Sequence, residues 1–122
     1  MDNLTVGKNG EDIAAEYLLR LGFRIAGRNI RTPFGELDIV ATRLGKTVFV
    51  EVKTRISEDF GPPHLSITGK KKRHLLKSAM FYLLRKGMCG SPCRIDVISI
   101  NLTDEGKMIK LEHIANAVTQ DE

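Results

Sequence analysis

The sequence predicts an α/β fold, a mixed β-sheet flanked by helices, in one domain spanning residues 1–122. Three observations predict it: two segments place apolar residues at helical spacing, several others alternate apolar and polar residues, and one helix stands between two groups of strands. A helix in that position implies a crossover connection, so parallel pairing is expected in the middle of the sheet. The chain of 122 residues is 42% hydrophobic and 28% charged. That composition suits a single folded core and excludes a disordered or fibrous protein.

The first helix is expected from about Gly7 to Leu21, where Ile13, Ala14, Tyr17, Leu18 and Leu21 share a face, with Gly22 as its stop. Phe23 to Ile25 and Asn29 to Thr32 follow as one interrupted strand before the turn Pro33-Phe34-Gly35. Glu36 to Thr42 alternates, with Leu37, Ile39 and Ala41 on one side and Glu36, Asp38 and Val40 on the other. After Gly45, Thr47 to Thr54 alternates again, Val48, Val50 and Val52 against Phe49, Glu51 and Lys53. The short connection makes the two an antiparallel hairpin. Arg55 to Ile67, with Gly61-Pro62-Pro63, has no sustained period and is expected to be a loop and a candidate lid. Thr68 is the expected N-cap of the second helix, whose apolar stripe of Leu75, Leu76, Ala79, Met80, Leu83 and Leu84 ends at Gly87. Arg94 to Ile100 and Met108 to Ile114 are the last strands, joined around Asp104-Glu105-Gly106.

The N-terminus lacks the basic start and apolar run of a signal peptide, and no segment is apolar for long enough to cross a bilayer. A cytoplasmic protein without membrane contact is expected. Cys89 and Cys93 are then most simply free thiols, because two cysteines without a companion pair make a weak zinc signal. The 19 Lys and Arg against 15 Asp and Glu permit an anionic partner. Lys70, Lys71, Lys72 and Arg73 form the one dense basic run, so a polyanion contact is expected there.

Hairpin register carries the sharpest inference, because a slip of one residue would expose every valine. Pairing Leu37 with Val52, Ile39 with Val50 and Ala41 with Val48 buries all six and leaves Arg43 to Lys46 as the loop. The same register sets Asp38 opposite Glu51 and Glu36 opposite Lys53. Directly opposed side chains have Cβ atoms about 5 Å apart, and like charges at that spacing destabilise a sheet. A divalent cation resolves the conflict, since Mg²⁺ takes carboxylate oxygens and keeps several waters. Lys53 is then placed to neutralise the pair or meet a phosphate, and a backbone carbonyl near Val52 is a candidate further ligand. The competing account is a solvated face on which Lys53 and Arg55 simply pair with the acids. Val40 and Phe49 on that face favour a partly covered cleft instead.

Glu11 lies on the flank of the first helix's apolar stripe and can project toward the sheet, although a first-turn acid is also explained by the helix dipole. Lys70 to Arg73 sit where that dipole disfavours cations, which a nucleic-acid phosphate would offset; the alternative is a screened, solvated patch. His64, His74 and His113 share no ligand spacing, and Ser66 and Ser78 have no partnered base within a recognisable motif. Neither a glycine-rich phosphate loop nor a dinucleotide fingerprint is present.

Gly35-Glu36-Leu37-Asp38-Ile39-Val40, then Val48-Phe49-Val50-Glu51-Val52-Lys53-Thr54-Arg55, with Lys70 to Arg73 and Arg94-Ile95-Asp96-Val97 in order, resembles the YraN-type uncharacterised bacterial family. The likeness runs from Gly7 to about Ala117. That family is similar to the restriction-endonuclease-like, or PD-(D/E)XK, superfamily, and to the archaeal Holliday junction resolvases within it. The resemblance implies an αβββαβ core, Asp38, Glu51 and Lys53 as catalytic residues, and Asp38 and Glu51 as ligands of Mg²⁺ or Mn²⁺. It also raises Glu11 from a cap to a site residue. Lys70, Lys71, Lys72, Arg73 and Arg55 are the implied nucleic-acid contacts. Leu37 stands where the superfamily motif has its proline, which is not a ligand. The implied activity is metal-dependent hydrolysis of phosphodiester bonds in DNA, branched DNA included, by a protein that is a homodimer by analogy with the resolvases. Two rivals are a binding module that keeps the fold without cutting, and an adaptor using the second helix for protein contacts.

Overall fold

The computed structural model describes residues 3–56 and 69–118, with side chains from residue 8 onward. Thr68, His64, Ser66 and residues 57–67 of the expected loop lie outside the described residues. The elements run α1 (Asn3–Arg20), β1 (Arg24–Thr32), β2 (Gly35–Arg43), β3 (Lys46–Ile56), α2 (Gly69–Arg85), β4 (Cys93–Leu102) and β5 (Met108–Val118). This is the expected αβββαβ order followed by a fifth strand. The strands form one mixed sheet in the order β1-β2-β3-β4-β5, with β3 and β4 parallel and the other neighbours antiparallel. Among the described residues, no helix is long and apolar enough to cross a membrane.

Among the described residues each face of the sheet carries one helix, which follows from the period-two alternation of its central strands. Ile39, Ala41, Val48, Val50, Ile98 and Ile100 point to one side and pack against Ala14, Ala15 and Leu18 of α1. Val40, Phe49, Ile95 and Val97 point to the other and pack against Leu75, Ala79, Tyr82 and Leu83 of α2. The β2–β3 turn is tighter than the loop expected from sequence: Arg43 pairs with Lys46, leaving Leu44 and Gly45 at φ 52° and 77°. Two successive positive φ values match the right-handed twist of a hairpin.

The interrupted strand is one strand, β1, with a bulge between Ile25 and Gly27 and with Asn29 in the left-handed region at φ 51°. Asparagine tolerates that conformation better than most residues. Its effect is to turn Ile30 toward α2, and Ile30's cross-strand partner Leu37 goes with it. This corrects the expected pairing of Leu37 with Val52. Ile39–Val50 and Ala41–Val48 pair as expected, but the β2–β3 ladder ends at Ile39, Leu37 is buried on the α2 side, and Val52 remains half-buried on the α1 side.

Two further contacts add to the apolar packing of α1 on the sheet. At Gly10 a Cβ would lie 1.9 Å from Thr54 Oγ1, so only glycine lets the helix cross β3 this closely. Farther along, fully buried Asp96 of β4 accepts from Arg94 Nε (2.9 Å) and Nη2 (3.2 Å), from the Asn116 backbone N–H (2.8 Å) and from His113 Nε2 (2.8 Å). On its other side, His113 shares a hydrogen bond between Nδ1 and the Tyr17 hydroxyl of α1, 2.9 Å away. Despite its burial, the Asp96 carboxyl is held below its ordinary range by His113, Arg94 and Asn116. Gly10→Ala is expected to cost about 1–3 kcal/mol through overpacking, and Asp96→Ala about 3 kcal/mol by orphaning its donors. Urea denaturation checks both; unchanged midpoints would mean that α1 is held by its apolar face alone.

Candidate functional site

Beyond Ile39 the Val52 N–H has no ladder partner on β2, and the Asp38 carboxylate accepts it at 2.9 Å. This side-chain bond fixes Asp38 on the α2 side of the sheet. Glu51 points to the same side, since it shares the β3 face with Phe49. Both acids line a cleft of about 370 Å³ between the sheet and the start of α2, together with Lys70, Lys71 and His74. The two carboxylates expected to oppose each other therefore do share one space, although side chain to backbone rather than strand to strand.

Lys71 Nζ lies 2.6 Å from Glu51 Oε1, and Glu51 is only 6% exposed. That hydrogen bond raises the Lys71 ammonium above its ordinary range. A cation from the protein itself thus relieves part of the repulsion that the sequence pairing implied. It does not relieve all of it: burial first, then the Glu51 charge and more weakly that of Glu11, push the Asp38 carboxyl from 3.8 up to about 7. The Val52 N–H and Lys71 oppose this shift.

Of the basic run, Lys70 and Lys71 face the cleft, whereas Lys72 and Arg73 fall elsewhere around the helix and are not part of its wall. Lys53 follows Glu51 on the same face of β3 and is half-buried; burial and the neighbouring Lys71 lower its ammonium below the usual lysine range. Arg55 continues that face. Across the parallel ladder Ser99 lies beside Lys53 and Asn101 beside Arg55. Their Oγ and Oδ1 atoms are buried without a hydrogen-bond partner among the described residues. Sequence reasoning did not single out this polar row, though the alternation Ile98-Ser99-Ile100-Asn101-Leu102 signals it.

Glu11 stands at the flank of the cleft rather than on its wall. With its amide nitrogen facing the acids, Asn29 donates to Glu11 Oε1 at 2.9 Å and to Glu36 Oε1 at 3.2 Å. Arg28 Nη2 lies 3.9 Å from Glu11. Burial raises the Glu11 carboxyl, against the lowering effects of Asn29 and Arg28. Among the described residues no three His, Cys, Asp or Glu side chains converge closely enough to hold an ion. Glu11, Asp38 and Glu51 accordingly do not form a three-acid cage. The pair Asp38 and Glu51 still fits a hard divalent cation, which is commonly held by one or two carboxylates with water completing its shell. Burial and then the Glu51 charge lift Asp38, and an ion between the two carboxylates would offset that charge. Cys89 and Cys93 are free and exposed, and His74 is exposed on the cleft wall.

The fold and site define a small α/β domain with a paired-acid, lysine-rimmed cleft at one end of a mixed sheet. A family model described as uncharacterised protein family UPF0102 matches residues 10–100. The chain belongs to that family, the YraN-type family its motifs resemble. It is 49% identical over 116 residues to a UPF0102 protein of Geobacter sulfurreducens, covering 94% of this chain and 89% of the relative. A UPF0102 protein of Pelobacter propionicus is 47% identical over 118 residues, with 95% and 84% covered. One from Thermodesulfovibrio yellowstonii is 44% identical over 119 residues, with 96% and 98% covered.

Asp38 binds its proton more tightly in the folded chain than in the unfolded one. Its stabilising contribution is therefore complete below about pH 3.8 and is lost as pH rises through about 7. Asp38→Asn keeps an oxygen for the Val52 N–H and carries no charge. Urea midpoints measured in EDTA should fall more steeply for the wild type than for Asp38→Asn between about pH 5 and about pH 8. Parallel profiles would reject the strained acid pair.

Proposed function

We propose that this protein is a metal-dependent nuclease of the PD-(D/E)XK type that hydrolyses phosphodiester bonds in DNA, branched DNA included. The observation that carries the proposal is the convergence of Asp38 and Glu51 on one cleft lined by Lys70 and Lys71, with Lys53 next to it on the Glu51 face of β3. Acids supply a place for a cation, and lysines supply counter-charge for a phosphate; a solvated ion-pair network would not need two acids drawn into one partly buried space.

Asp38 and Glu51 would hold Mg²⁺ or Mn²⁺, which when bound polarises a phosphoryl oxygen and makes water more acidic. The chain's own groups do the rest. Lys53, two residues beyond Glu51, orients the attacking water or stabilises charge developing on the phosphoryl oxygens. Lys70 and Lys71, in the first turn of α2, add their charge to the positive end of the helix dipole and grip the phosphate backbone. Glu11 tunes the local charge through Asn29 and Glu36, and Arg55, Lys72 and Arg73 extend the contact. Superfamily membership, kinship with the junction resolvases, a cytoplasmic location and a homodimer, which sedimentation would reveal, belong to the same proposal.

One observation favours the binding-module reading. Lys71 already pairs with Glu51, so the cleft has a counter-cation without any metal. The discriminating assay incubates linear, flapped and four-way DNA with protein and Mg²⁺ or Mn²⁺. Asp38→Ala and Glu51→Ala should abolish cleavage, and Lys53→Ala should slow it by about 10²- to 10³-fold, the usual cost of losing one charge-stabilising group. Activity surviving all three substitutions would reject the site. Salt-dependent binding that is indifferent to Mg²⁺ and leads to no cleavage would favour the binding module.

A further inference from the structure

We propose that the groove between the edge strand β1 and α2 is a subsite for an unpaired nucleotide of single-stranded DNA, stacked on Phe34 and Phe81 beside the acid cleft. The proposal rests on the nuclease reading for the purpose of the neighbouring cleft, not for its own binding. The groove encloses about 550 Å³, its wall includes Phe81, Arg31, Arg85 and Lys86, and among the described residues no acid lines it. Phe34, at the β1–β2 turn, is 41% exposed and lines the acid cleft, while its ring meets Phe81 edge-on with centroids 6.5 Å apart. The aromatic pair thus bridges the two cavities.

Cations surround these rings. Lys77 Nζ lies 5.7 Å from the Phe34 centroid and Arg85 Cζ 5.7 Å from that of Phe81. The nearby acid, Glu36, is 3.9 Å from Arg31 and belongs to the other side of the turn. From Lys70 to Arg94 the sequence has no acidic residue at all. Aromatic faces among clustered cations match a strand of nucleic acid, whose bases stack and whose phosphates take the charge. The bases of a duplex are already stacked on each other, so the rings select an unpaired one.

The platform is held in place. Thr32 Oγ1 donates to the Gly35 carbonyl (2.8 Å), and with its hydrogen so committed it accepts from the Phe34 N–H (3.1 Å) and from the hydroxyl of buried Ser78 on α2 (2.8 Å). The turn that carries Phe34 is therefore tied to the helix that carries Phe81 and Lys77.

The test uses the full chain in EDTA, with short duplexes that are blunt or carry a single-stranded overhang containing 2-aminopurine. Tighter binding of the overhang and quenching of the fluorophore are expected. Phe81→Leu, on the groove wall but not on that of the acid cleft, should weaken overhang binding by about 5- to 150-fold while leaving blunt-duplex binding unchanged, and Phe81→Trp should retain overhang binding. Arg85→Ala with Lys86→Ala should lower the salt slope by about 2. Equal affinity for both duplexes, absence of quenching, or quenching by an RNA strand but not by DNA would overturn the subsite. Because no metal is present, the two readings fail separately: quenching without metal-dependent cleavage sinks only the nuclease, and Asp38-dependent cleavage without quenching sinks only the subsite.

Discussion

A backbone N–H left without a strand partner is costly inside a protein, and at Val52 a carboxylate rather than a carbonyl takes it. The Asp38–Val52 bond lets β2 leave β3 without an orphaned donor, and it opens the space that becomes the cleft. It also fixes the direction of Asp38. Had the ladder continued, the two acids would have stood as cross-strand neighbours on a closed sheet. Instead one is tethered to the backbone and the other to Lys71, with a cavity between sheet and helix.

The two faces of the sheet divide the work. On the α1 side the buried carboxylate is saturated: Asp96 accepts four hydrogen bonds, and His113 links it to Tyr17. Satisfied networks of this kind hold elements in one arrangement. On the α2 side the opposite holds. Asp38 and Lys53 are both pushed toward their neutral forms, and Ser99 Oγ and Asn101 Oδ1 have no hydrogen-bond partner among the described residues. Such imbalance concentrates where a ligand is to be met. Close packing of Gly10 on Thr54 connects the faces, because it sets α1 low enough for Glu11 to reach Asn29 at the sheet's end.

Lys71 has two roles that compete. It stabilises Glu51 in a nearly buried position, and it occupies a carboxylate oxygen that a metal ion would also use. An ion entering this cleft must share Glu51 with the ammonium or displace it, and a displaced Lys71 remains beside the cleft as a phosphate contact. The arrangement would couple metal and nucleic acid through one side chain, as a consequence of placing a lysine-rich helix start above a pair of acids.

Much of this was legible in the residues. Alternation identified the central strands, their pairing between Ile39–Ala41 and Val48–Val50, and the common side of Asp38 and Glu51, because burial of one sheet face tolerates no slip. Helical spacing located both helices, and their placement among the strands required the parallel β3–β4 pair. The flip of Leu37, the contact of Lys71 with Glu51, the sharing of Asn29 by Glu11 and Glu36, and the saturation of Asp96 were not legible. Each depends on where separate elements meet, which local periodicity does not encode. By itself the sequence determined the strands, the register of Ile39–Ala41 on Val48–Val50 and the acids they carry, since these follow from which side chains must leave water; only the tertiary structure decided where that register ends and what faces those acids, since that follows from how the helices and the twisted end of β1 pack.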